Sequence, residues 1–367
     1  MAIQLTARKC AILAAVVAAF SHTATAAEVY KDADTTFDLF GEVRTRWDES
    51  ESASHTANGS GSKIGVSGEH RLGELTFKGF TKFEYNGNTH AANTFQVNES
   101  YVGLAHTQYG ELNIGRKSTI HDTLFGYDSS WAFGGTAKNG HDPFGTGTAD
   151  SLVQYTWSAN GLTLMGQVQG RSEFVNDGYE TRVDLDPVDP QSASVRSGVG
   201  AGLAWQSDFG LGVKAAYTRA NLDSLTETLE GVSPAVILEN VTVDSLGAEV
   251  DYDIGRFSLA AAAFHFDYSL PGFDEKQTGF GGRASYTVAE PVHLYTVVDY
   301  LKSSFSPAAG GTVDMTDSSV TTYTSGVDYW PHKQVMSFVE FSHQVDKADG
   351  SAKEENLSMA VGARYYF

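Results

Sequence analysis

Carboxylates are the commonest reactive groups in this chain, with 45 Asp and Glu against 25 Lys and Arg. Two carboxylates flanking a cleft can hydrolyse a glycosidic bond, one as acid and one as base or nucleophile. Here the acids are spread over every polar connection and no pair is set apart by its surroundings, so solvated charge is the better reading. The 11 histidines are scattered, without an H-E-x-x-H, and Cys10 is the only cysteine, so no zinc site is indicated. Asp184, Asp186 and Asp189 lack the glycine and the ligand spacing of a calcium loop. Gly279-Phe280-Gly281-Gly282 is a fragment of a dinucleotide pattern, and no phosphate loop is present. His265 with Asp267, and His343 with Asp346, could serve a hydrolase at a membrane surface, but neither pair comes with a nucleophile. The expectation is therefore no catalytic residue, no metal and no cofactor.

A second group could act by binding. Phe125, Tyr127, Trp131 and Phe133 fall within nine residues. Aromatic faces in a narrow polar passage can stack on the apolar faces of sugar rings while carboxylates and arginines hold the hydroxyls. The plainer reading is that these rings anchor their own loop, as aromatics usually pack, with Trp131 the exception to test. Nucleic acid is excluded as a partner by the acidic balance.

The elements that would carry these groups are strands. One set reads Phe37, Leu39, Gly41, Val43, Thr45, Trp47 and its complement Asp38, Phe40, Glu42, Arg44, Arg46, Asp48. The segment from Leu75 sets Phe77, Phe83 and Tyr85 against Lys78, Lys82 and Glu84, and the last segment sets Leu357, Met359 and Val361 against Ser358 and Arg364. A period of two places each set on its own face. Tight links at Leu72-Gly73-Glu74, Gln108-Tyr109-Gly110, Ala159-Asn160-Gly161, Asp208-Phe209-Gly210, Ile254-Gly255, Ala289-Glu290-Pro291 and Pro331-His332-Lys333 alternate with long polar ones such as 174–196 and 222–240. Roughly seven tight turns and eight long loops give about sixteen strands of about ten residues, the layout of a closed transmembrane barrel. Trp47, Trp157, Tyr300, Trp330 and Tyr365 suit the strand ends that meet a membrane interface. At the start, Arg8 and Lys9, an apolar run over 10–20 and Ala24-Thr25-Ala26 read as a secretory signal cut after Ala26. The expected domains are this signal peptide, 1–26, and one barrel, 27–367. Removing Arg8 and Lys9 leaves 23 basic against 45 acidic groups, about −22, which predicts a mild cation preference for any pore.

With these residues in view, the chain resembles the general, non-specific trimeric porins of Gram-negative outer membranes. The resemblance rests on AEVYKDADTTFDLFGEV at 27–43, TKFEYN at 81–86, ESYVGLAHTQYGELNIGRK at 99–117, HDTLFGYDSSWAFGG at 121–135 and AVGARYYF at 360–367. It implies an all-β, 16-stranded antiparallel transmembrane barrel whose third loop folds inward. It further implies a homotrimer in outer-membrane lipid and lipopolysaccharide, passing small hydrophilic solutes and ions. Loop acids would face a basic wall across the constriction. Asp128 matches a loop acid, with Asp122 just upstream, while Arg116 and Lys63 match basic wall positions and Glu84 a wall carboxylate. The departures are several. The family's P-E-F-G-G reads Trp131-Ala132-Phe133-Gly134-Gly135, two usual arginines are Asn98 and Thr148, and a usual lysine is Glu42. Arg44, Arg46, Lys78 and Lys82 are the candidates to restore basic charge. The expected constriction set is therefore Asp122, Asp128, Trp131, Phe133, Arg44, Arg46, Lys63, Lys82, Glu84 and Arg116.

Overall fold

The computed structural model describes residues 27–50, 56–59, 61–86, 94–139, 147–175, 188–229, 236–307 and 316–367. The expected signal peptide, 1–26, lies outside the described residues, as do Asp184 and Asp186. Sixteen strands make the wall. They are β1 (Thr35–Ser50), β2 (Ser62–Leu72), β3 (Leu75–Asn86), β4 (Thr94–His106), β5 (Gly110–Ser118), β6 (Thr148–Ala159), β7 (Leu162–Gln169), β8 (Val188–Gln206), β9 (Leu211–Leu229), β10 (Val236–Ile254), β11 (Phe257–Leu270), β12 (Phe273–Ala289), β13 (Val292–Pro307), β14 (Ser318–His332), β15 (Val335–Ala348) and β16 (Glu354–Tyr366). Each pairs antiparallel with its sequence neighbour, and β16 pairs with β1 from Ser358↔Ser50 to Tyr366↔Glu42. Phe367 completes the seam by exchanging both backbone bonds with Gly41, at 2.8 and 3.0 Å. Below that point the short strand Ala27–Lys31 takes over as the partner of β1. The wall is thus a ring with no unpaired border.

The seven expected tight turns are all present, and Asn160-Gly161 shows why they are short. Both residues have positive φ, 51° and 78°, as a two-residue hairpin turn that follows the strand twist requires.

Alternation behaves as the sequence suggests. Val102, Leu246 and Phe280 are more than half exposed, while Glu249, Gln277 and Glu340 are at most 2 % exposed. Side chains on a concave wall converge and shield one another, and those on a convex wall splay apart, so the apolar set stands outside. Among the expected interfacial aromatics, Trp330 departs from this. Its indole donates to Asp328 (2.9 Å) and its ring stacks on Tyr366, and it packs on a buried cluster with Met336 and Phe338.

Strand length is corrected. β8, β9 and β10 run to 19 residues each, so much of 174–196 and 222–240, expected as loop, is ladder. Pairs such as Ser224↔Glu239 and Leu225↔Leu238 continue the β9–β10 ribbon beyond the alternating zone. Alternation reports two different environments on the two faces, and it fades where both faces meet similar ones, although backbone pairing goes on. One expected long loop is also absent, because β11 and β12 join through Pro271-Gly272 alone. Gly272 has φ 99°, the glycine position of a turn with proline before it.

Candidate functional site

β5 ends at Ser118, and the chain then leaves the ladder for 119–139. Thr119 caps a single helical turn, α1 (Ile120–Leu124), by accepting from the Asp122 N–H at 3.3 Å, and a second turn, α2 (Thr136–Asn139), closes the segment. Between them the backbone has no ladder, so its buried N–H groups need other acceptors. Three wall carboxylates supply them. Glu249 on β10 accepts from Gly126 N (2.9 Å), Tyr127 N (3.0 Å) and the Lys214 ammonium (2.7 Å). Asp299 on β13 accepts from Gly135 N (3.1 Å), Ala137 N (3.4 Å) and the Tyr127 hydroxyl. Glu340 on β15 accepts from the N–H groups of Trp131 (2.7 Å), Ala132 (3.0 Å) and Phe133 (2.8 Å) and from the Tyr295 hydroxyl (2.6 Å). A buried carboxylate is tolerable only with its lone pairs filled. Here the segment fills them, and each partner fixes the other.

The segment's side chains fit the wall where the wall has none. Rings of Phe125 and Tyr127 lie so close to Gly247 and Gly281 that a Cβ there would come within 2.4 and 2.2 Å of them. His121 is fully buried among Phe125, Phe264 and Phe266, with neither ring nitrogen hydrogen-bonded. Burial pushes its pKa down to about 3, so the ring is neutral. Lys138 reaches back to the Asp122 carboxylate (3.0 Å) and the Phe125 carbonyl (3.0 Å), knitting α2 to α1. Burial alone would raise the Asp122 carboxyl, but Lys138 outweighs it and holds the pKa below its ordinary value. Asp128 accepts from Ser130 N at 2.8 Å and is pushed up to about 6, first by burial and then by the charge of Asp299. Trp131 donates its indole N–H to Asp328 (3.2 Å) and carries the Arg364 guanidinium 4.6 Å from its ring centre. Phe133 packs on the same cluster.

The expected basic groups stand on β1–β5, each beside an acid. Glu84 gathers Lys63 (3.4 Å), Arg44 (3.8 Å) and the Asn98 amide (3.0 Å). Lys82 pairs with Glu99 (2.8 Å), Arg116 with Asp150 (2.7 Å) and Arg46 with Asp48 (2.7 Å). Lys78 turns instead to Glu111 (2.7 Å) and Glu69 (3.6 Å). Arg44, Lys63 and Glu84 are therefore one cluster, whereas Arg46, Lys82 and Arg116 each make separate pairs. Asp122, Asp128, Trp131 and Phe133 belong to the docked segment. Arg364 joins the two groups, meeting Glu42 at 3.7 Å and the Trp131 carbonyl at 3.4 Å. Two departures from the family pattern have local uses: Asn98 serves Glu84, and Glu42 lies between Arg44 (3.8 Å) and Arg364. Thr148 pairs with Ser118 at the base of the segment.

Sequence reasoning missed Glu249, Asp299, Glu340, Lys214 and Arg364. Each is an ordinary polar member of an alternating strand, and no spacing links three acids on three separate strands. The histidine pairs do not assemble: His265 meets Thr278 (3.3 Å), and His343 meets Glu355 (3.3 Å) while Asp346 accepts from Gln344. No group of three or more metal-ligating side chains occurs among the described residues.

The profile of the Gram-negative porin family matches residues 13–349. Outer membrane porin N of Escherichia coli (strain K12) is 25 % identical over 380 residues, covering 93 % of this chain and 95 % of that protein. Outer membrane porin PhoE of Klebsiella pneumoniae is 26 % identical over 362 residues, with 93 % and 94 % covered. Among solved structures, in-vitro folded OmpT, an outer membrane protein of Vibrio cholerae, superposes with a TM-score of 0.73 at 18 % identity, covering 93 % of this chain and all of that one. The anion-selective porin from Comamonas acidovorans gives 0.61 at 18 % identity, with 91 % and 100 % covered.

Proposed function

The chain belongs to the Gram-negative porin family, and from that premise we propose a passive outer-membrane channel narrowed by segment 119–139. The barrel is a multi-pass protein of the Gram-negative outer membrane. Sixteen closed strands leave room for water along the axis. The observation that carries the narrowing is the set of eight backbone and side-chain bonds from the segment to Glu249, Asp299 and Glu340. A segment tied to β10, β13 and β15 on the concave face spans part of the lumen and leaves the passage against β1–β5. There, solutes meet the wall pairs built on Arg44, Lys63, Lys82, Glu84 and Arg116, with Asp122, Asp128, Trp131 and Phe133 on the segment. Movement through such a passage needs no energy source and sorts by size and charge.

The acidic excess of the whole chain supports a modest cation preference, while the paired charges at the narrowing keep it small. A trimer is the proposed assembly, in line with the trimer form of Vibrio cholerae OmpT. A sugar-stacking track is the weaker alternative, since Phe125 and Tyr127 are buried and Arg364 lies over Trp131. The test is reconstitution of purified protein into planar bilayers. Conductance steps arriving in threes, with a reversal potential of cation sign in a salt gradient, are expected. Absence of any steps would refute the channel, and single steps would refute the trimer. Trp131→Ala should leave maltose flux unchanged.

A further inference from the structure

On the concave face of β1, β3 and β4, on the short-turn side of the Glu42, Glu84 and Glu99 pairs, three half-buried rings stand in a row. Phe40 and Phe80 stack with centres 5.2 Å apart and planes 26° off parallel, and Phe80 and Tyr101 at 5.0 Å and 19°. The row bridges β2 because Gly65 has no side chain, and a Cβ there would lie 2.4 Å from the Phe40 ring. Two ammonium groups flank the row: Lys117 4.5 Å from the Tyr101 ring centre and Lys82 5.9 Å from that of Phe80. Lys82 is engaged by Glu99, but among the described residues Lys117 makes no ion pair. None of the hydrogen bonds that dock 119–139 reaches this stretch of wall.

Partly exposed rings on a stretch of wall where Lys63, Lys78, Lys82, Glu84 and Glu99 are the neighbours keep apolar surface in contact with water, a cost that a passing solute could relieve. Phe80 is stacked between the other two rings and Tyr101 lies between Phe80 and the Lys117 ammonium, so a solute meets the edges of these two, where the quadrupole is positive. A ring edge beside an ammonium that makes no ion pair among the described residues suits one kind of ligand, an anion attached to a flat apolar ring. We propose that Phe40, Phe80 and Tyr101, with Lys117, form a binding strip for small aromatic carboxylates in transit. The carboxylate meets the Lys117 ammonium, and the ring packs edge to face against Phe80 and Tyr101. The proposal rests on the channel reading above, and it sets affinity for one solute class, not the overall ion preference.

The test uses the full barrel in planar bilayers, with benzoate, cyclohexanecarboxylate and acetate as probes at equal ionic strength. Benzoate should reduce the small-ion current saturably, at a half-effect concentration about fivefold below that of either non-aromatic acid, the scale of a single aromatic contact. Lys117→Gln and Phe80→Leu should each raise that concentration several-fold, while chloride-salt conductance stays close to the parent's. If the three acids act alike on the parent channel, or if both variants keep the benzoate effect, the strip is overturned while the channel stands. Should the parent give no conductance steps, the channel reading itself fails, and this proposal with it.

Discussion

Glu340 and Asp299 each take three hydrogen bonds from the segment, and those to Glu340 all come from consecutive backbone groups. Glu340 is fully buried and takes these three N–H groups together with a tyrosine hydroxyl. Hydrogen bonds to a charged group contribute about 1.5–3 kcal/mol each, and donors left unpaired add their own desolvation cost. Glu340→Ala should therefore weaken docking by at least about 3 kcal/mol, seen as larger and noisier single-channel currents, with Glu340→Gln milder. Asp128 gives a pH dependence of known sign. Its docked pKa of about 6 lies above the ordinary carboxylate value, so at a pH between the two the docked carboxyl holds a proton that a free one would release. Docking is favoured below the lower value, and that contribution is lost as pH rises through 6. Current noise should fall between pH 7 and pH 5 while the cation preference shrinks, and Asp128→Asn should remove the Asp128 part of both changes. The segment's acids and rings were legible as a run of types in the sequence. The acceptors were not, because which wall residue meets which loop amide depends on how a ring of strands closes.

At the scale of elements, the wall is shaped to receive the segment. Gly281 sits under Tyr127 and Gly247 under Phe125. Gly281→Val should displace Tyr127, disturb the Asp299 contacts and raise conductance. Gly79→Val, where a Cβ would meet nothing within 4 Å, is the matched control and should leave conductance unchanged. The reading of the elements was sound where physics separates the two faces. Phe37, Val43 and Trp47 stand exposed while Arg44 and Glu42 face their ion-pair partners, as the alternation of β1 implies. It failed above β9 and β10, where Leu222 to Leu229 read as loop and forms ladder. It failed again at Trp330, placed at the membrane surface by type and found facing Asp328 and Tyr366. An aromatic near a strand end suits lipid or lumen equally well, and only its phase in the alternation distinguishes them.

For the whole molecule, the excess of acid and the near balance of charge at the proposed narrowing pull apart. Cations at Arg44, Lys63, Lys82, Arg116 and Arg364 each lie beside a carboxylate. The permeability ratio for potassium over chloride should thus be small, about two- to fivefold, and should fall as salt screens the distant acids. Removing 354–367 should abolish the barrel altogether. Without β16, both β1 and β15 would carry open edges, expected as aggregation and protease sensitivity in place of a detergent-stable form.

The seam between Phe367 and Gly41 has a bearing on time as well as on shape. The partner of the first wall strand is the last of the sixteen to be synthesised, so no length of chain without it can close the ring. Until β16 is available, the polypeptide is a long alternating ribbon that cannot close and cannot hide its apolar phase from water. Closure therefore comes late for every molecule, and any delay between export and insertion is time during which the outward apolar faces of the strands meet water.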